Sequence, residues 1–344
     1  VTTAHATRAA TTRSATGLVA VVAVGGIVGV TAGLALSATA AVAVPGLVQP
    51  SAVVAIALPL ARLALDIAAL VTAGASLAPV LLGCRHSDAL AELALARRVA
   101  VLGSLAWALA AVATLVLQAA NADPGAGLGA VIGYAAAVPS AMALVVVFVG
   151  ALVGLVVNAA ALRDPLAVRR GWAVAVVVAT MLPLPPSGHT SDETGAPRVL
   201  GTVTIELHVL AAMAWTGGLL AVIALLGMRR ALLAQALPRF SQLATVCVFT
   251  TAATGLLSGL TRLALTPGLQ WYSALFTTDY GHLLIGKGIC VLVVGLLGAH
   301  IRFRLLPRIS SVSRPLVLRW VVWELMVMGA AFGLAAVLVG SPVA

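Results

Sequence analysis

Uninterrupted apolar runs, each about as long as a membrane is thick, recur along this chain and decide what it can fold into. A helix needs roughly 20 such residues to cross hydrocarbon. Runs of this kind lie near Gly17–Val44, Ala52–Leu82, Val99–Ala120, Ala130–Leu162, Trp172–Leu184, Gly201–Met228, Phe240–Leu260, Gly281–Ile301 and Leu316–Gly340. The fifth is short and ends in Pro183, Pro185 and Pro186. The second and fourth are longer than needed and contain Pro59 and Pro139, which predicts tilt or a kink. The runs are continuously apolar and do not alternate, so helices are expected rather than a barrel. Only 9% of the 344 residues are charged, where a soluble domain carries about 25%. The expected fold is all-α, a polytopic transmembrane helical bundle of about nine spans.

The loops orient that bundle. One set holds Arg8 and Arg13; Arg85, Arg97 and Arg98; Arg163, Arg169 and Arg170; Arg229, Arg230 and Arg239; and Arg302, Arg304, Arg308, Arg314 and Arg319. In the alternate loops, near Pro45–Ser51, Asn121–Gly129, Pro185–Arg198 and Thr266–Tyr280, the basic residue is Arg198. Basic loops stay in the cytoplasm. The amino terminus is therefore expected inside and, after nine passes, the carboxy terminus outside. The net charge of +10 reads as orientation, not as a nucleic-acid surface. The first apolar run is too long for a signal peptide and reads as a retained span. Cys84, Cys247 and Cys290 give no disulfide framework, and the two in apolar runs read as inert small hydrophobes.

Ionisable groups at membrane depth are expensive and mark function by default. Glu206 and His208 sit in the sixth run, one to two turns below the outer surface. They are about 200° apart on a helix, so they face different neighbours: His208 shares its face with Trp215, Glu206 with Met213. Asp279 and His282 open the eighth run, with Lys287 deeper; Arg262 closes the seventh behind Thr251, Gly255 and Ser258. His189 precedes the sixth run in an outer loop. Each alone has a plain alternative as a helix–helix hydrogen bond. Arg62 and Asp66, one turn apart, read as a structural pair. In the inner half, Glu324 and His300 stand near arginines. Three histidines at one depth suit copper or zinc, and the thioethers of Met181 and Met213 favour Cu(I). Two histidines on different spans, His208 and His282, also leave open axial ligation of haem b.

The run from Glu206 through His208, Met213 and Trp215 to Gly217-Gly218 resembles a helix of the copper resistance protein D (CopD) family, in which a Leu-His pair precedes small residues and a Trp-x-Gly-Gly. The resemblance continues through Phe240-Ser241, Thr254-Gly255, Thr278-Asp-Tyr-Gly-His282, Lys287, Gly298-Ala-His-Ile-Arg302, Leu306-Pro-Arg308 and Leu318-Arg-Trp-Val-Val-Trp-Glu324. It divides the chain into a variable membrane region of about five spans (1–200) and a CopD-like membrane domain of four (201–344). It implies a multi-pass plasma-membrane protein that imports copper or confers copper resistance, with membrane lipid around it. His208 and His282 fall on positions of the family pattern and are carried over as candidate ligands; the family often has Arg where His282 stands and Asn where His300 stands. Some actinobacterial relatives continue into a domain resembling the cytochrome oxidase assembly protein CtaG, so the chain reads as a stand-alone form or part of a fusion. A periplasmic copper chaperone and a CtaG-like assembly partner are the implied protein partners.

The resulting expectation is a copper-handling bundle that takes Cu(I) at an outer-half site and passes it inward. His208, His282, His189, Met213 and Met181 are the expected ligands. Glu206, Asp279, Lys287 and Arg262 compensate charge, the two cations pairing with Glu206 or Asp279. A b-type membrane cytochrome and a copper-holding assembly partner for cytochrome oxidase are the alternatives. No Gly-x-Ser-x-Gly, His-Glu-x-x-His or P-loop pattern occurs, so no enzyme is expected.

Overall fold

Eight of the nine apolar runs form helices long and apolar enough to cross a membrane in the computed structural model of the chain. The structure describes residues 2–37, 51–83, 89–124, 127–163, 170–182, 196–226, 229–266, 270–305 and 314–341. The helices are α1 (Thr2–Ser37), α2 (Ala52–Leu82), α3 (Leu90–Ala122), α4 (Leu128–Ala137), α5 (Pro139–Arg163), α6 (Arg170–Met181), α7 (Ala196–Ala221), α8 (Arg230–Leu265), α9 (Trp271–Thr277), α10 (Asp279–His300) and α11 (Arg314–Leu338). Short π-helical turns, Val222–Leu226 and Ile301–Leu305, extend α7 and α10. No strand occurs among the described residues. The chain is an all-α polytopic membrane bundle.

The helices sort into two compact units, Val1–Thr16 with Val48–Thr251, and Gly17–Leu47 with Ala252–Ala344. In the first, α2 packs on α3 and α7, and α5 on α3 and α6. Three arginines tie helix ends together. Arg97 Nη1 donates to Asn158 Oδ1 at 3.1 Å, Arg239 Nη1 donates to the Leu81 carbonyl at 3.0 Å, and Arg229 Nη1 pairs with Glu92 Oε1 at 3.2 Å. The end of α2, the start of α3, the end of α5 and the start of α8 therefore share one end of the unit. That end is basic, as alternation of the arginine-bearing loops requires.

The fifth run departs from its expected length. Its helix α6 has 12 residues, about 18 Å of rise, and Pro183, Pro185 and Pro186 follow it in the sequence. It nevertheless takes its turn in the alternation. A Cβ on Gly150 would strike the Thr180 side chain, and one on Gly154 would lie 3.8 Å from Val176, so α6 runs antiparallel to α5. It leaves the basic end, and α7 returns to it before Arg229.

Three boundaries also differ from expectation. The fourth run is two helices: Val138 is extended (φ −105°, ψ 121°) and Pro139 opens α5. Proline disfavours helical backbone in the residue before it and is tolerated at a helix start. Arg97 and Arg98, expected in a loop, lie inside α3, and Arg239 lies inside α8, which begins at Arg230. The charged residues at these run ends suit helical propensity as well as leucine does, so the helices extend past their apolar stretches.

In the second unit α1 and α11 lie parallel. A Cβ on Gly25 would strike the Met326 carbonyl, one on Gly29 the Ala330 carbonyl, and one on Gly33 would sit 3.0 Å from Val337. From the other side, a Cβ on Gly329 would meet the Val22 carbonyl and one on Gly333 the Gly26 carbonyl. Small residues at this spacing let the two backbones touch, the usual basis of close pairing in lipid. Antiparallel α10 packs on α11, and the His300 ring stacks over Trp320 with centroids 4.4 Å apart.

Candidate metal site

His208 lies half-buried on α7, and its position is set by α8. Its Nδ1 is 3.0 Å from the Thr251 carbonyl. A carbonyl oxygen only accepts, so Nδ1 carries the proton and Nε2 carries the lone pair. This is the arrangement in which a protein orients an imidazole toward a metal, the second ring nitrogen held by a backbone carbonyl. The same bond also serves the plain purpose of joining α7 to α8.

The α7 backbone is held tightly on the other side. A Cβ on Gly217 would strike the Leu70 carbonyl, and one on Gly74 would strike the Gly217 carbonyl, so α7 and α2 touch at these glycines. Below them α7 relaxes into its π-helical turn, an irregularity that often accompanies functional positions. Met213 is buried on α7 and Met181 at the end of α6, each 2% exposed. Met213 is five residues from His208, about 140° around the helix, so the two do not share a face. Glu206, two residues before His208 on another face of α7, is half-buried. His189 lies outside the described residues.

His282, Asp279, Lys287 and Arg262 belong to the second unit. Thr278 caps α10, its Oγ1 accepting from Gly281 N at 3.0 Å. A Cβ on Gly281 would run into the Ala274 and Leu275 carbonyls, so this tight α9–α10 corner admits glycine. His282 Nε2 donates to the Phe276 carbonyl at 2.9 Å, which leaves its lone pair on Nδ1. Asp279 sits in the first turn of α10 and Arg262 in the last turn of α8. Each charge is of the sign that the helix dipole favours at its end. Lys287 is half-buried about two turns into α10. Tyr280, Leu263 and Ala274 form a buried cluster beside them.

Within neither unit do three or more His, Cys, Asp or Glu side chains among the described residues gather closely enough to hold a metal. What the first unit offers is one oriented imidazole and two buried thioethers. What the second offers is a more exposed imidazole among charged groups. Neutral nitrogen and thioether donors suit Cu(I) better than they suit zinc or magnesium.

Two residues here escaped the sequence reading. Asn158 is fully buried and Arg97 is 9% exposed, both on the α3–α5 seam. An arginine with apolar residues one turn to either side was the available signal.

Comparison with known proteins bears on the second half of the chain. Residues 234–338 match the family Copper resistance protein D (CopD). The CopD segment thus takes in α10 and α11 with His282, Asp279, Lys287, His300 and Glu324, and it begins after His208. The chain is also 30% identical over 140 residues to "Inner membrane protein YebZ" of Escherichia coli (strain K12). That alignment takes in 40% of this chain and 46% of the relative, so the chain spans less than half the length of the curated protein it matches. No solved structure matches it.

Proposed function

We propose that this CopD-type protein resides in the plasma membrane and imports copper, accepting it as Cu(I) in the outer half and passing it toward the cytoplasm. The observation that carries this reading is the His208 ring, fixed through Nδ1 by the Thr251 carbonyl so that Nε2 bears the lone pair. Met181 and Met213 supply buried soft donors in the same unit. The CopD match and the similarity to an inner-membrane protein support the copper and membrane parts of the reading. His282 serves as a second station near the outer surface, with His189 as a further ligand. Glu206 compensates the cation's charge, since a bare cation does not enter hydrocarbon. Arg262 and Lys287 are held off the metal by Asp279. A periplasmic copper chaperone would deliver the ion, and an oxidase-assembly partner of the CtaG kind would draw on it.

The deciding experiment is an absorption spectrum of the reduced, purified protein followed by competitive Cu(I) titration, with His208→Ala in parallel. Tight Cu(I) binding that the variant loses supports the reading. A Soret band that the variant loses replaces it with a b-type cytochrome. Cu(I) binding unchanged in the variant removes His208 from the site.

A further inference from the structure

Among the described residues Glu324 is the one buried acid, 4% exposed. It lies in the α11 span Leu316–Leu338, about 12 Å from the start of that span. The arginines that follow α10 and precede this span mark its start as the basic end. No basic side chain among the described residues pairs with the carboxyl. Helix α1 packs on the opposite flank of α11, against Met326 and Ala330, and its contacting stretch carries no ionisable group. Arg302 and Arg304, on the π-helical turn after α10, are exposed. An unpaired acid at such depth is costly and marks an ion pathway by default.

The carboxyl faces a gap. A Cβ added to Gly298 on α10 would sit 3.4 Å from Glu324 Oε1, with no other atom of a neighbouring element within 4 Å. Glycine therefore leaves a methyl-sized space directly against a carboxylate oxygen. A dehydrated monovalent cation needs no more room. Met328, one turn deeper on the same face of α11, is 4% exposed and brings a soft thioether. One turn nearer the basic end is Trp320, with the exposed His300 ring stacked on it. Just past His300 the helix loosens into its π-helical turn, an irregularity frequent at functional positions.

We propose that Glu324 is an inner counter-charge station, where a monovalent cation moving inward rests in the Gly298 gap against Oε1. Met328 precedes it and His300 follows it on the way to the cytoplasm. The inference rests on the copper reading and extends it inward, since the gap lies about 24 Å along α10 from His282. One carboxylate with a thioether nearby holds Cu(I) weakly. Weak holding suits a station that the ion must leave.

The test places the full chain in phosphatidylethanolamine–phosphatidylglycerol liposomes, with chelator-buffered Cu(I) outside and a Cu(I) dye in the lumen. Glu324→Gln should slow uptake about tenfold or more, because the ion then crosses this depth uncompensated. Glu324→Asp should keep measurable uptake. Gly298→Ala fills the gap at ordinary contact distance, so it should fold as the parent does and still slow uptake several-fold. Tight Cu(I) affinity and Tm should stay at the parent's values in all three. Should Glu324→Gln not fold, Gly298→Ala carries the test. Uptake equal to the parent's in the Gln and Ala variants overturns the inference and leaves the copper reading standing. Tight affinity that falls in step with uptake makes Glu324 a structural residue and overturns it too. No uptake by the parent removes the copper reading and this inference with it.

Discussion

Gly74 on α2 and Gly217 on α7 approach so closely that a side chain on the first would enter the backbone of the second. Neither helix can yield without losing the other, and α7 is the helix that carries His208. Gly74→Val and Gly217→Val should each lower the detergent melting temperature, at a cost of about 1–3 kcal/mol as for other overpacked interiors. They should also weaken Cu(I) binding in the fraction that remains folded. Melting curves with a copper titration on the same samples check both.

Gly83 ends α2 at φ +80°, and its Cα faces the Arg239 guanidinium that donates to Leu81. Gly83→Ala meets two penalties at once, a left-handed backbone and a displaced arginine. A loss of about 1–2 kcal/mol is expected from the backbone alone. Arg239→Lys should lose part of the same stability, because a lysine does not reproduce the guanidinium geometry. Denaturation of both variants beside the parent gives the comparison.

Glu92 and Arg229 offer a contrast. Their side chains are 15% and 46% exposed, and ion pairs of that kind contribute about 0–1 kcal/mol. Glu92→Gln should leave Tm within error of the parent, and what effect it has should fade with salt. A drop of many degrees would mean that this end of the unit depends on the pair far more than its exposure suggests.

Membrane sidedness is open to labelling. With native cysteines replaced by serine, Ser51→Cys and Gly127→Cys should react with an impermeant maleimide added outside intact cells. Ala231→Cys and Arg98→Cys should react after permeabilisation. Reaction of Ala231→Cys from outside would mean that α6 does not complete its pass.

Much of the fold was legible from hydropathy alone. α2 begins and ends where its apolar run does, at Ala52 and Leu82, because lipid is the dominant partner for such a segment. Pro139 was a visible warning that the fourth run would break. The interior of the first unit was not legible. Arg97 looked like a loop residue since charge at the end of an apolar run is ambiguous between loop and helix, and only its neighbour Asn158, 61 positions on, resolves it. At the candidate site, His208 was visible as a polar intrusion. Its tautomer was not, because the carbonyl that fixes it comes from Thr251, whose side chain gives no hint of where its backbone lies. Charge partners across helices escape for the same reason.

The parallel seam of α1 against α11 has a consequence for biosynthesis. Gly25 must wait for Met326, and at about 5–20 residues per second the ribosome needs roughly 15–60 s to supply it. Through that interval α1 sits in the bilayer with its glycine face unclaimed by α11, exposed to other nascent helices and to membrane proteases. Helix α11, made some 300 residues after Gly25, therefore acts as the clasp of its unit. A nascent chain released before residue 326 would hold α1 in a unit that has not yet closed.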